Sequence, residues 1–135
     1  MNLLILGRGK TGSLVAEVAR DHNHRVQVAG AKENTACAAL APEKLSTIDV
    51  VIDFTTPHCV FANIEACVKG GKNMVVGTTG WYGELDRIRT LVEQHGTGFV
   101  YAANFSVGTE CGFGRRDPRT IPELLRIHAA IADMD

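Results

Sequence analysis

"LLILGRGKTG" (residues 3–12) passes from an apolar run into three glycines, and its reading decides the fold. Two phosphate-binding patterns compete for it. Gly9-Lys10-Thr11 could close the G-x-x-x-x-G-K-[ST] loop that wraps a nucleoside triphosphate. The first glycine of that loop would then fall at residue 4, which is Leu4, inside the apolar run. The loop is too short for the task. Gly7, Gly9 and Gly12 instead complete G-x-G-x-x-G between an apolar strand and a helix. In that pattern Gly7 permits the tight turn. Gly9 lets a pyrophosphate approach the backbone, and Gly12 lets the helix pack against the sheet.

The surroundings agree with the second pattern. A helix opening at Lys10-Thr11 presents free N–H groups and a partial positive charge to phosphate. Arg8 and Lys10 add formal charge. The pattern also asks for an acid about 20 residues further on, after the second strand. Glu33 stands there and can accept the hydroxyls of an adenosine ribose, whereas the adjacent Lys32 suits a 2′-phosphate. The expected cofactor is therefore NADH or NADPH.

Working outward, short apolar runs alternate with helical patterns. Strands are expected at 2–7, 24–30, 48–54, 73–77 and 98–105. A helix over 10–22 places Leu14, Val15, Val18 and Ala19 on one face. An alanine-rich helix over 35–45 is broken near Pro42. A helix from Pro57 buries Val60, Ile64, Cys67 and Val68 and is capped by Gly70-Gly71. A helix over 83–96 turns Leu85, Ile88, Leu91 and Val92 inward. This alternation implies an α/β fold, a Rossmann-like doubly wound parallel sheet, over residues 1–108. The crevice should be lined by the loops after the strands, "DFTTP" (53–57), "GTTG" (77–80) and "AANFSVG" (102–108).

Composition excludes other classes. A chain of 135 residues suits one domain. A net charge of −1 steers it to neither nucleic acid nor membrane. The basic cluster "RRDPR" (115–119) is too small for a nucleic-acid footprint. No apolar run is long enough to span a membrane. Cys37, Cys59, Cys67 and Cys111 show neither C-x-x-C nor metal-ligand spacing, so reduced thiols in a cytoplasmic protein and no metal site are expected.

"VVIDFTTP", "VVGTTG" and "AANFSVG", with the glycine loop and "VQVAGAKE", resemble the dihydrodipicolinate reductase family of bacterial lysine biosynthesis. The resemblance covers residues 1–108. It implies reduction of 4-hydroxy-tetrahydrodipicolinate by NADH or NADPH, usually in a homotetramer with a C-terminal substrate domain. By position it implies that Gly7, Arg8, Gly9, Lys10, Thr11 and Gly12 hold the pyrophosphate and Glu33 the adenosine ribose. Phe54 and Thr55 would flank the cofactor, with Gly77, Thr78 and Thr79 near the nicotinamide ribose. Ala102, Ala103, Asn104 and Phe105 would line the nicotinamide end and hinge. Many members carry Arg just after the ribose acid, and here that position is Asn34.

Downstream the pattern departs. The histidine pair, lysine and Ser-Gly-Thr element of the family's catalytic segment have no counterpart in "TECGFGRRDPRT" (109–120) or in the helical pattern "IPELLRIHAAIADMD" (121–135). His128 reads as an ordinary helix residue. Asp53 reads as a loop-holding acid at a strand end. Trp81 reads as a loop anchor or a cover for the nicotinamide pocket. The expectation is the nucleotide half of a reductase, catalytically incomplete in this chain, acting on a small-molecule substrate. The competing expectation is a non-enzymatic NAD(P)(H)-binding module or redox sensor.

Overall fold

The computed structural model describes residues 1–103. Five strands form one sheet: β1 (Asn2–Leu6), β2 (Arg25–Ala29), β3 (Val50–Asp53), β4 (Asn73–Val76) and β5 (Phe99–Tyr101). All neighbours are parallel, in the order β2-β1-β3-β4-β5. The helices are α1 (Lys10–Asp21), α2 (Pro42–Leu45), α3 (Pro57–Lys69) and α4 (Leu85–His95), and a 3₁₀ segment spans Thr35–Leu40. The chain leaves β1 toward β2 on one side and later leaves β3 toward β4 on the other. The connections after β1 and β3 therefore diverge and open a crevice at the strands' C-terminal ends.

Alternation divides the sheet between two faces. Leu4, Leu6, Val51, Met74 and Val76 share a core with Val60 and Ile64 of α3 and Ile88 of α4. Ile5 points the other way, toward α1, where its methyl lies near Gly12. Right-handed crossovers place α1 alone on that face, against three helices on the other.

The expected face of α1 is corrected. Leu14 and Val18 are more than half exposed, and the buried positions are Gly12, Ala16 and Ala19. Small residues bring the helix axis close to β1 and β2, which turns the bulky side chains outward. The expected 35–45 helix is also corrected. Ala36 (φ 49°) and Cys37 (φ 62°) are left-handed, so residues 35–40 form a kinked 3₁₀ segment. Pro42 begins α2 rather than breaking a helix, in keeping with its fixed φ at a first helical position. The inward faces expected for α3 and α4 are buried or packed on the core. No helix among the described residues is long and apolar enough to cross a membrane. The expected limit at residue 108 and the patterns at 109–135 lie outside the described residues.

Candidate functional site

The glycine turn is built as its spacing demands. Gly7 has φ +107°, and a Cβ there would overlap the Phe54 carbonyl. A Cβ at Gly12 would overlap the carbonyl oxygen of Gly7, so the turn and the first coil of α1 are in backbone contact. Gly9 differs: a Cβ there meets no protein atom within 4 Å and would project into open space. Gly9 is also the N-cap of α1, with no side-chain cap and no acid in the first turn. The opening N–H groups of α1 thus meet neither a capping side chain nor a first-turn acid.

That space consists of two cavities with a common wall. One, of about 310 Å³, is lined by Gly9, Lys10, Thr11, Gly12, Phe54, Thr55, Pro57, Gly77, Thr78 and Thr79. The other, of about 580 Å³, is lined by Gly7, Arg8 and Gly9 of the glycine turn, by Ala29, Gly30, Ala31, Asn34, Thr35 and Ala36 at and after the end of β2, and by Phe54, Thr55, Thr56 and Cys59 after β3. Gly9, Phe54 and Thr55 belong to both. Volumes of this size suit a small molecule or a large part of a cofactor.

Asp53, at the end of β3, holds this wall. It is fully buried, and four donors reach its carboxylate. The Thr55 N–H (2.8 Å), the Thr55 hydroxyl (2.6 Å) and the Thr78 hydroxyl (2.7 Å) donate to Oδ1. Asn63 Nδ2 of α3 donates to Oδ2 at 2.8 Å. One acid therefore ties the loop after β3 to the loop after β4 and to α3. A buried carboxylate is tolerable because it is so fully hydrogen-bonded. The Asn63 oxygen accepts from Asn34 Nδ2 (2.9 Å), and the Asn34 oxygen accepts the Ala39 N–H (3.2 Å).

The β4 loop is fixed by two aromatic rings. A Cβ at Gly77 would overlap the Phe54 ring, so only glycine lets that ring lie beneath the loop. Trp81 is buried, donates its Nε1–H to the Thr78 carbonyl (2.8 Å), and packs edge-on against Tyr82, Phe99 and Tyr101. Of the two expected roles, the anchor describes its position, since it borders neither cavity.

At the end of β2, Glu33 receives the Gly30 N–H (3.0 Å) and pairs with Arg8 (3.2 Å). Lys32 is exposed and has no ion pair or side-chain hydrogen bond among the described residues. Ala102 donates its N–H to Val76, and Ala103 is exposed. Asn104 and Phe105 lie outside the described residues. The structure thus brings together Gly7–Gly12, Phe54, Thr55, Gly77, Thr78 and Thr79, with Arg8 and Glu33 at the rim of β2.

Sequence reasoning missed Asn63 and Cys59 as members of the site. Asn63 could have been found as a polar residue within the apolar stripe of α3. Burial raises the Cys59 thiol, but hydrogen bonds with Thr55 and Thr56 outweigh it and leave the thiol below its ordinary value. Burial, with Cys59 and Asp53 nearby, raises Cys37. Burial pushes Cys67 up to about 12.

The sequence profile described as "Dihydrodipicolinate reductase, N-terminus" matches residues 1–105. The chain belongs to this family. A 4-hydroxy-tetrahydrodipicolinate reductase of Christiangramia forsetii is 33% identical over 113 residues, covering 84% of this chain and 46% of the relative. The same enzyme of Corynebacterium urealyticum is 35% identical, covering 76% of this chain and 42% of the relative. The chain therefore spans less than half the length of these curated relatives. Among solved structures, the dipicolinate-bound dihydrodipicolinate reductase of Paenisporosarcina sp. TG-14 superposes with TM-score 0.63 at 28% identity. That superposition covers 80% of this chain and 49% of the relative. A Synechocystis biliverdin reductase, in complex with biliverdin and NADP+, shares the fold at TM-score 0.60 and 21% identity, covering 74% and 37% of the two chains.

Proposed function

We propose that residues 1–103 form the nucleotide-holding part of an NADH- or NADPH-dependent 4-hydroxy-tetrahydrodipicolinate reductase of lysine biosynthesis. The observation that carries this reading is the open space at Gly9, beside the uncapped N-terminus of α1 and between the loops after β1 and β3. A pyrophosphate fits that space, where backbone N–H groups meet it and no Cβ intrudes. The adenosine half then lies in the larger cavity, its ribose toward Glu33 with Arg8 or Lys32 beside it. The nicotinamide half lies in the smaller one, against Thr55, Gly77, Thr78 and Thr79.

When bound, the reduced nicotinamide supplies a hydride. The residues of this chain fix where that hydride is presented. Phe54 forms the apolar wall common to both cavities, and Asp53 sets the spacing of the Thr55 and Thr78 loops. Orientation of this kind is a protein's main contribution to hydride transfer. The substrate is a small molecule of the dipicolinate class, as the Paenisporosarcina relative binds. No residue among 1–103 is assigned to proton transfer, so this reading gives those residues the binding and orientation of the cofactor and not the complete reaction.

The test is fluorescence titration with NADH and NADPH, followed by coupled NADH oxidation with substrate generated in situ. Saturable binding and negligible turnover by the 135-residue chain are expected. Absence of binding would refute the nucleotide reading. Robust turnover would refute the assignment of the chemistry to groups elsewhere.

A further inference from the structure

We propose that Cys59 and Cys37 form a modification site for small disulfides: Cys59 takes the first sulfur, and Cys37 completes a bridge that locks one wall of the larger cavity. Only the effect on nucleotide rests on the function proposed above. Cys59 lies in the first turn of α3, close behind Pro57, and borders the larger cavity. Its Sγ is 3.4 Å from the Thr56 hydroxyl and donates to the Thr56 carbonyl at 3.6 Å. Cys37 lies in the 3₁₀ segment, left-handed at φ 62°, next to Ala36, which lines the same cavity. Its thiol donates to Asn63 Oδ1 at 3.6 Å. Asn63 stands one turn beyond Cys59 on α3, where side chains four apart are neighbours, about 5–6 Å between Cβ atoms. Both thiols therefore flank one side chain. Cys67, a further turn along α3, is fully buried and out of a reagent's reach.

The surroundings set the order of reaction. A thiol in the first turn of a helix, here with no first-turn acid, is favoured as thiolate. Burial opposes this at Cys59, but hydrogen bonds with Thr55 and Thr56 leave its thiol below the ordinary value. The Cys37 thiol is raised, first by burial and then by the Cys59 charge. The Cys59 thiolate attacks one sulfur of a small disulfide such as glutathione disulfide; a new S–S bond forms, the old one breaks, and one thiolate leaves. Cys59 then carries no charge, which removes one of the causes that hold the Cys37 thiol up. Cys37 gives its proton to water, attacks Cys59 Sγ and expels the second small thiolate. Two protein thiols are oxidised, and one small disulfide is reduced to two thiols. The bridge holds its two Cα atoms at about 4.4–6.8 Å and so fixes the bend at Ala36 to the start of α3. The larger cavity, which Ala36 and Cys59 both border, then cannot adjust to the adenosine half of a nucleotide.

The experiment incubates the 135-residue chain with glutathione disulfide, in a Cys111→Ser background so that residue 111 takes no part, and quenches with iodoacetamide. Non-reducing peptide mass spectrometry should find Cys37 joined to Cys59 and Cys67 free. Adding Cys37→Ser should halt the reaction at a glutathione adduct on Cys59. The bridged chain should bind NADH about tenfold or more weakly than the reduced chain, and dithiothreitol should restore the affinity. A bridge from Cys37 to Cys67, or adducts that never advance to a bridge, would overturn the pairing. A Cys37–Cys59 bridge with unchanged NADH affinity would overturn its effect on the cavity wall. Failure of the reduced chain to bind either NADH or NADPH would overturn the function proposed above, and the effect on nucleotide with it, while the bridge is still judged by mass alone.

Discussion

Replacing Asp53 by Asn changes one oxygen to an amide nitrogen without changing shape, and the consequences follow from the hydrogen bonds. With the new oxygen at the Oδ1 position, the Thr55 N–H and the Thr55 and Thr78 hydroxyls keep their acceptor. The new NH₂ then faces the Asn63 NH₂, donor against donor. Turning Asn63 over repairs that contact but sets its NH₂ against that of Asn34. One buried donor is left without a partner, at a cost of about 1–3 kcal/mol. The three retained bonds fall from a charged to a neutral acceptor. They meet at one oxygen and do not add independently, so the whole loss is about 3 kcal/mol. For a domain of this size that lowers Tm by roughly 12–20 °C. Urea and thermal unfolding followed by Trp81 fluorescence measure it, since that indole is bonded to the Thr78 loop. NADH titration of the folded variant should show weakened binding as the two loops part. A loss under about 1 kcal/mol with unchanged NADH affinity would refute the idea that this acid holds the crevice wall.

The glycines separate fold from binding. Gly9→Ala should leave stability within about 0.5 kcal/mol, because its Cβ meets nothing, yet weaken NADH about tenfold or more; titration and melting of the same sample check both. Gly12→Ala pushes a Cβ into the Gly7 carbonyl oxygen and should cost about 1–3 kcal/mol in urea unfolding as well as binding. The cysteines give a pH-dependent readout. A lowered pKa gives Cys59 more thiolate at a given pH, so its alkylation should persist to lower pH than that of the raised Cys37. Cys67, pushed up to about 12, should stay unlabelled in the folded protein. Peptide mass spectrometry reads all three, and NADH should slow Cys59 in particular, since it borders the larger cavity.

Most of the architecture was legible because its signals are local. The apolar runs ending at Gly7, Phe54 and Gly77 became β1, β3 and β4, with the crevice loops directly after them. The face of α1 was not legible from apolar periodicity, because Gly12, Ala16 and Ala19 bury themselves by closeness rather than by size. Residues 35–40 were misread for a different reason. Alanine favours a helix, but the side-chain amide of Asn34 captures the Ala39 N–H and Asn63 holds both Asn34 and Cys37, so tertiary bonds outweigh local preference. Asp53 was recognised as a loop-holding acid. Its partners Asn63 and Thr78 lie 10 and 25 residues away, and no local pattern connects them.

The line of polar groups from Asp53 through Asn63 and Asn34 to the Ala39 backbone has a direction. A carboxylate can only accept, so Asn63 must offer it nitrogen and turn oxygen outward; Asn34 must answer with nitrogen and present oxygen to the Ala39 N–H. A single acid thus dictates which way two amides face, as far as the left-handed bend at Ala36 and Cys37. Disturbance at the inner end is transmitted as a reversal of each successive group, so the floor of one cavity and the bend beside the other respond as one part. Half-cofactors offered separately, an adenylate and a nicotinamide mononucleotide, should each tighten the hold on the other, although they would touch opposite ends of that line.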